Sequence, residues 1–200
     1  MSTQLTIYSV SIQNAQFWVR HPAPGSVEET RRRAEAVDAQ GEVDASRTMV
    51  EAVDDIFGDR PKHPEGGDAY ARVWQDVIEY GESTRFDFGP LRRGARYLAE
   101  ASEEFQGAGV PRELTPMGFM YDNPFTDTPQ ARNAPIIGHV KADQVPPMRE
   151  AYAAIVDQVE AADLVKVLLA AVDETLNFNA FARDFPEGPL PLQDLVTFYG

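Results

Sequence analysis

A strand-like segment stands at each end of this chain, LTIYSVSI at 5–12 and DLVTFYG at 194–200, and most of what lies between reads as helix or loop. Short runs rich in β-branched and aromatic residues favour an extended backbone. In the first of them Ile7 alternates with Tyr8 and Val10 across the pleat, so both faces are apolar and call for cover. A strand at each end with helices between invites pairing of the two termini in one sheet, with the helices packed round it. The expected fold is therefore α+β: a mostly helical single domain over 1–200, with a small sheet pairing the N- and C-terminal strands.

The helices follow from periodicity. DAYARVWQDVIEYG (68–81) places Tyr70, Val73, Trp74, Val77 and Ile78 on one face, with Asp68 positioned to cap it and Gly81 to end it. Upstream, Ser26 with Glu29 at capping-box spacing predicts a helix carrying Val27, Ala34 and Val37 and ending at Gly41. A second spans about Ala45 to Phe57 with Met49, Val50, Val53, Ile56 and Phe57 on one side, before the breaker GDRPKHPEGG. Phe86 and Phe88 share one face of a short strand. Pro90 is expected to open a helix to about Phe105, with Leu91, Leu98 and Phe105 inward and Arg92, Arg93 and Arg96 on a solvated face. PIIGHV (135–140) reads as a strand or bridge. Asp143 or Gln144 then caps a helix that tolerates Pro146 and Pro147 in its first turn and buries Val145, Met148, Tyr152, Ile155, Val156 and Val159. The run 162–185 is apolar nearly all round at Leu164 to Val172, which predicts a central helix.

Charge and composition exclude several functions. A net charge of −14 repels phosphate backbones, which argues against a nucleic-acid binder and favours either a cationic partner or simple solubility. The chain has no cysteine, hence no disulfide framework, thiolate metal site or cysteine nucleophile. No apolar run approaches the ~20 residues of a membrane span, and the N-terminus lacks the basic and apolar regions of a secretion signal. A cytoplasmic protein is expected. No G-x-S-x-G, P-loop, G-x-G-x-x-G or H-E-x-x-H pattern occurs, so catalytic residues, cofactor and metal are all expected to be none.

Three segments carry a family resemblance. GGDAYARVWQDVIEYGES is similar to the acidic, Trp-bearing helix of the YfbM-like bacterial proteins of unknown function, PIIGHVKADQVPPMREAYAAI to their short strand and following helix, and the closing helix with DLVTFYG to their C-terminal helix and last strand. The three lie in the family's order and cover about half the chain. The resemblance implies a compact α+β fold and no established activity.

Residues 106–135 contain no periodic element, and a structureless stretch of that length in a compact domain is usually functional or disordered. Met117, Phe119, Met120, Tyr121 and Phe125 are too apolar for disorder, so an ordered, packed loop is expected. Its far end carries His139, either a buried histidine satisfied by the backbone or a binding group. His21 and His63 stand in proline-rich loops, where exposed, unpaired imidazoles are the default. Asp54 and Asp55, like Asp173 and Glu174, read as solvated helix faces, and Asp127 beside Arg132 as a loop ion pair. Trp74, Tyr121, Phe125, Phe178 and Phe181 either line a pocket or belong to the core. The leading reading is a non-catalytic binding protein, of inhibitor or immunity type, for a basic protein partner drawn to its acidic surface. The alternative is a small-molecule-binding protein or enzyme with a pocket under the 117–139 loop, floored by Trp74 and lined by Tyr121, Asp122, Asn123 and His139.

Overall fold

In the computed structural model, which describes residues 3–41, 47–81, 83–91, 93–133 and 135–200, the two termini do pair. β1 (Leu5–Val10) runs antiparallel to β4 (Asp194–Tyr199), with Ile7 opposite Thr197. β2 (Thr84–Phe88) adds to the other side of β1, and β3 (Ile136–Val140) adds to β4, giving one four-stranded antiparallel sheet in the order β2-β1-β4-β3.

Alternation along each strand sorts side chains to two faces, and both faces are covered over β1, β4 and β3, while the edge strand β2 leaves Arg85 and Asp87 exposed. Leu5, Ile7, Leu195, Tyr199 and Val140 share a core with α5 (Ala95–Gly107), α7 (Val145–Ile155) and α8 (Ala162–Arg183). Tyr8, Val10, Val196, Phe198 and Ile137 point the other way, into α1 (Ile12–Arg20), α2 (Ser26–Gln40), α3 (Met49–Phe57) and α4 (Gly67–Tyr80). The molecule is thus helix layer, sheet, helix layer. The short α6 (Pro116–Phe119) follows a single 3-10 turn at Arg112–Leu114.

Local chemistry explains most element ends. The Ser11 hydroxyl accepts from Asn14 N at 3.2 Å and starts α1, which ends the first strand at Val10 and not at residue 12. Thr48 and Glu51 form a reciprocal capping box at α3, and the Asp38 carboxylate accepts from Met49 N and Val50 N as well. The proposed start of that helix at Ala45 lies outside the described residues. Gly41 closes α2 with φ +66°, a value L side chains avoid.

Three expected caps are not made. Gly25 occupies the position before α2, and the Ser26 hydroxyl instead donates back to Ala23 O. Gln144 precedes α7, but its side chain accepts from Lys141 N rather than capping. Asp68 lies inside α4 and accepts from Arg132 N, Asn133 N and Asn133 Nδ2, so it fastens the long loop instead of the helix. α5 begins at Ala95, not Pro90: Leu91 N bonds Thr3 O, which holds Leu91 against the N-terminal segment, and Gly94 turns the chain at φ +55°. Leu91, Leu98 and Phe105 are nonetheless buried, as expected. Arg93 and Arg96 are exposed and both bond Glu100; Arg92 lies outside the described residues.

A buried polar ladder sets α8 on the sheet. Thr175 Oγ1 donates to Ser9 Oγ at 2.7 Å, Ser9 Oγ donates to Gln193 Oε1 at 2.6 Å, and Asn179 exchanges two hydrogen bonds with the Gln193 backbone. Asn179→Ala would strand a buried N–H and a buried carbonyl at once. It is expected to cost about 2–4 kcal/mol in urea denaturation, whereas Asn177→Ala, exposed on the same helix, is expected to be near neutral.

Candidate functional site

After α6, residues 120–133 form an ordered, packed loop along the open edge of β3, and the 117–139 stretch as a whole therefore also takes in the end of α6 and most of β3. Its first part belongs to the α8 side of the sheet: Phe119 and Met120 are buried there, and Met117 N donates to the Ser102 hydroxyl at 2.9 Å. Gly138 permits this, because a Cβ on it would come within 2.7 Å of both Met120 Cα and Phe119 O. The chain then crosses the sheet edge, exposing Tyr121 (52%), and enters the other layer at Phe125.

There the loop is held by side chains. Asn123 Oδ1 accepts from Phe125 N at 3.0 Å while Asn123 Nδ2 donates to Thr128 O at 3.2 Å, closing a tight turn. The Phe125 ring stacks parallel on Trp74 with centroids 3.8 Å apart, and Trp74 Nε1 donates to Thr128 Oγ1 at 3.0 Å. Further on, Gly67 lets the backbone at Gln130 and Ala131 lie directly on the start of α4.

His139 is 9% exposed and shares a sheet face with Val196, its partner in register. Its Nδ1 is 3.8 Å from Asp122 Oδ2 and its Nε2 is 3.7 Å from Asp194 Oδ1, beyond hydrogen-bonding distance in both cases. The buried Nε2 has no hydrogen-bond partner among the described residues. Of the five residues expected to form one site, the structure brings His139 to Asp122 and Asn123 to Trp74 through Thr128. Tyr121 faces solvent. Phe178 and Phe181 lie near each other on α8, away from Trp74 and Phe125, which are core.

Three of the cavities on the described surface stand out, and His139 lines none of these three. One, of about 490 Å³, is floored by Trp74 and roofed by Thr126 and Asp127 of the loop, with Arg20, Asp59 and Lys62 at its rim. The Lys62 ammonium donates to Asp55 O at 2.7 Å and Arg60 O at 2.9 Å, with Asp127, which does not pair with Arg132, at 3.8 Å. A second, of about 850 Å³, is a groove where the end of β2, Pro90, Leu91, Arg93 and α5 meet the start of α8. The third is a small cleft of about 260 Å³ beside Trp18, Phe57, Asp76 and Tyr80. Among the described residues no group of three or more His, Asp or Glu is arranged to hold a metal ion, and no helix is long and apolar enough to cross a membrane.

Asp55, His21 and His63 also depart from the sequence reading. Asp55 is buried rather than solvated: its Oδ2 accepts from Arg47 Nε, Arg47 Nη2 and the Tyr70 hydroxyl at 2.6–2.9 Å. The signal was present, since Asp55 shares the helical face of Met49, Ala52 and Ile56. His21 and His63 are exposed but not unpaired; His21 Nδ1 lies 3.2 Å from Phe17 O, and His63 Nδ1 accepts from Glu65 N.

A family model matches the whole chain, residues 1–200: the protein belongs to the family described as domain of unknown function DUF7691. No curated protein and no solved structure matches it. Membership leaves the YfbM-like likeness of the three segments as a resemblance only.

Proposed function

We propose that this DUF7691 member is a non-catalytic binding protein whose partner is a cationic protein, docked at the groove beside Tyr97. The observation that carries the reading is the union of aromatic wall and acidic rim in one concavity. Phe88, Pro90, Leu91 and Tyr97 form the wall, with Tyr97 stacked on Phe88; Glu104 and Glu160 stand on the rim, together with Glu100, whose carboxylate Arg93, also in the lining, and Arg96 already bond. Burial, and then the negative charges of Asp163 and Glu104, push the Tyr97 hydroxyl above its ordinary pKa, as expected in a negative field. Glu104 also accepts from Glu160 N and Ala161 N, so the rim is rigidly tied to the start of α8. An aromatic face beside carboxylates suits a guanidinium or ammonium side chain. Acidic residues occur on both helical layers, so the net charge steers a basic partner broadly and the groove supplies the local specificity.

The test is capture from the source cell's lysate at low and raised salt, with wild type, the Glu100→Lys/Glu160→Lys variant, and Asp59→Lys as a control of changed charge elsewhere. A basic protein held at low salt, released at raised salt, lost by the groove variant and kept by the control is the expected result. A partner kept by the groove variant, or none at all, sinks the reading. A second reading, small-molecule binding under the 117–139 loop, has the cavity over Trp74 in its favour. A small molecule co-purifying in the same experiment, with no protein partner, would move the assignment there.

A further inference from the structure

We infer that the cleft between α1, the start of α2 and the C-terminal ends of α3 and α4 binds a small organic ammonium, an amine with an apolar body, held by the Asp76 carboxylate against Trp18, Phe57 and Tyr80. The site is independent of the groove beside Tyr97 and belongs to the opposite helical layer.

The walls come from four helices. Trp18 is on α1, Ser26 and Thr30 on α2, Phe57 at the end of α3, and Asp76, Val77 and Tyr80 on the last turns of α4. The Trp18 indole lies directly on the backbone of Gly81, where any Cβ would collide with the ring, so this wall is fixed in place. Lining atoms are mostly carbon, and the single carboxylate among the lining residues is that of Asp76. Three aromatic rings and one acid round a small cleft is the chemistry that selects a cation over a neutral molecule of the same shape.

Among the described residues, the charges that act on Asp76 are those of Arg33 from α2 and of Arg72 and Glu79 from α4; Trp18 of α1 and Phe57 of α3 add no charge to the lining. Arg33 lies over the Tyr80 ring and gives its Nε to Glu29 at 3.1 Å. It shows that the ring already attracts a cation, yet it makes no hydrogen bond to Asp76. Burial raises the Asp76 pKa; Arg33 and Arg72 oppose the shift and Glu79 adds to it, and the net direction remains upward. A bound ammonium would stabilise the ionised form, so binding and loss of the Asp76 proton are linked and amine affinity falls as the solution is acidified.

Phenethylamine and its neutral isostere phenethyl alcohol are the probes, titrated into the full chain by calorimetry and followed by tryptophan fluorescence. The amine is expected to bind at least about tenfold more tightly than the alcohol, to lose about tenfold or more in Asp76→Asn, and to weaken at about pH 4, where phenethylamine itself stays protonated. Trp18→Ala is expected to abolish the fluorescence change along with the heat. Equal binding of amine and alcohol, undiminished binding by Asp76→Asn, or no binding of the amine up to about 10 mM overturns the assignment. The comparison of the two probes on wild type decides the matter even if a variant does not fold.

Discussion

Phe125→Ala is expected to lower stability by about 3–5 kcal/mol and to release the middle of the long loop without unfolding the sheet. The ring is fully buried and sits in the helical layer of α1–α4, although it enters from a connection of irregular backbone. Removing it deletes the parallel stack on Trp74 and leaves a void that neither neighbour can fill, since Trp74 is tethered through Nε1 to Thr128 and Asn123 fixes the Phe125 backbone. The void and the lost transfer energy add. Hydrogen exchange on the variant should show lost protection at 121–133 while β1 and β4 stay protected; global loss of protection would mean that the loop is a folding core in its own right. Phe125→Leu, which keeps most of the volume, is expected to retain most of the stability. Because Thr126 and Asp127 follow directly, the same change should also open the cavity floored by Trp74.

Periodicity and strand composition were enough to place the terminal strands, α3, α4, α7 and α8, because each buries a repeating face that the sequence displays locally. Val73, Trp74, Val77 and Ile78 are buried as their spacing requires. The α+β class and the pairing of β1 with β4 follow from the same local signals. What stayed illegible depends on contacts between distant segments. Pro90 has the right chemistry to start a helix, but Thr3 takes the Leu91 N–H and Gly94 turns the chain first. Asp68 looks like a cap until the loop at 132–133 arrives to use its carboxylate. The candidate site divides in the same way. That the aromatic loop packs was readable from its composition; that His139 lies between the carboxylates of Asp122 in the loop and Asp194 on β4 was not. Trp18 and Asp76 lie 58 positions apart, on helices whose own patterns explain each without the other, so only their packing shows the cleft they share.

Asp54 and Asp55 are adjacent in sequence and are expected to differ several-fold in what they contribute. Asp54 pairs with Arg31 at a partly exposed position, and Asp54→Asn should change stability by less than about 1 kcal/mol. Asp55, 2% exposed, is the point on which α3, α4 and the 58–66 loop converge. Its Oδ2 takes three donors, the Tyr70 hydroxyl that donates to it also accepts from His63 N, and its own carbonyl accepts from Lys62 Nζ. Removing one partner of a buried ion pair strands the other. Because Arg47 keeps a quarter of its side chain in solvent, Asp55→Asn belongs at the low end of that range, about 3 kcal/mol. The pH dependence has a definite sign. Burial by itself would raise the Asp55 pKa, but the hydrogen bonds from Tyr70 and Arg47 and the charges of Arg47 and Lys62 outweigh it and hold the carboxyl below its ordinary value. A depressed folded-state pKa stabilises the fold above the unfolded value of about 3.9, and the contribution is lost as pH falls through the folded one. The gap between wild type and Asp55→Asn in urea denaturation should therefore be constant from about pH 5 to 8 and narrow below about pH 4. A gap that persists undiminished into acid would assign the effect to the geometry of the carboxamide instead of the charge, and a gap under about 1 kcal/mol at neutral pH would place Asp55 with the solvated acids after all.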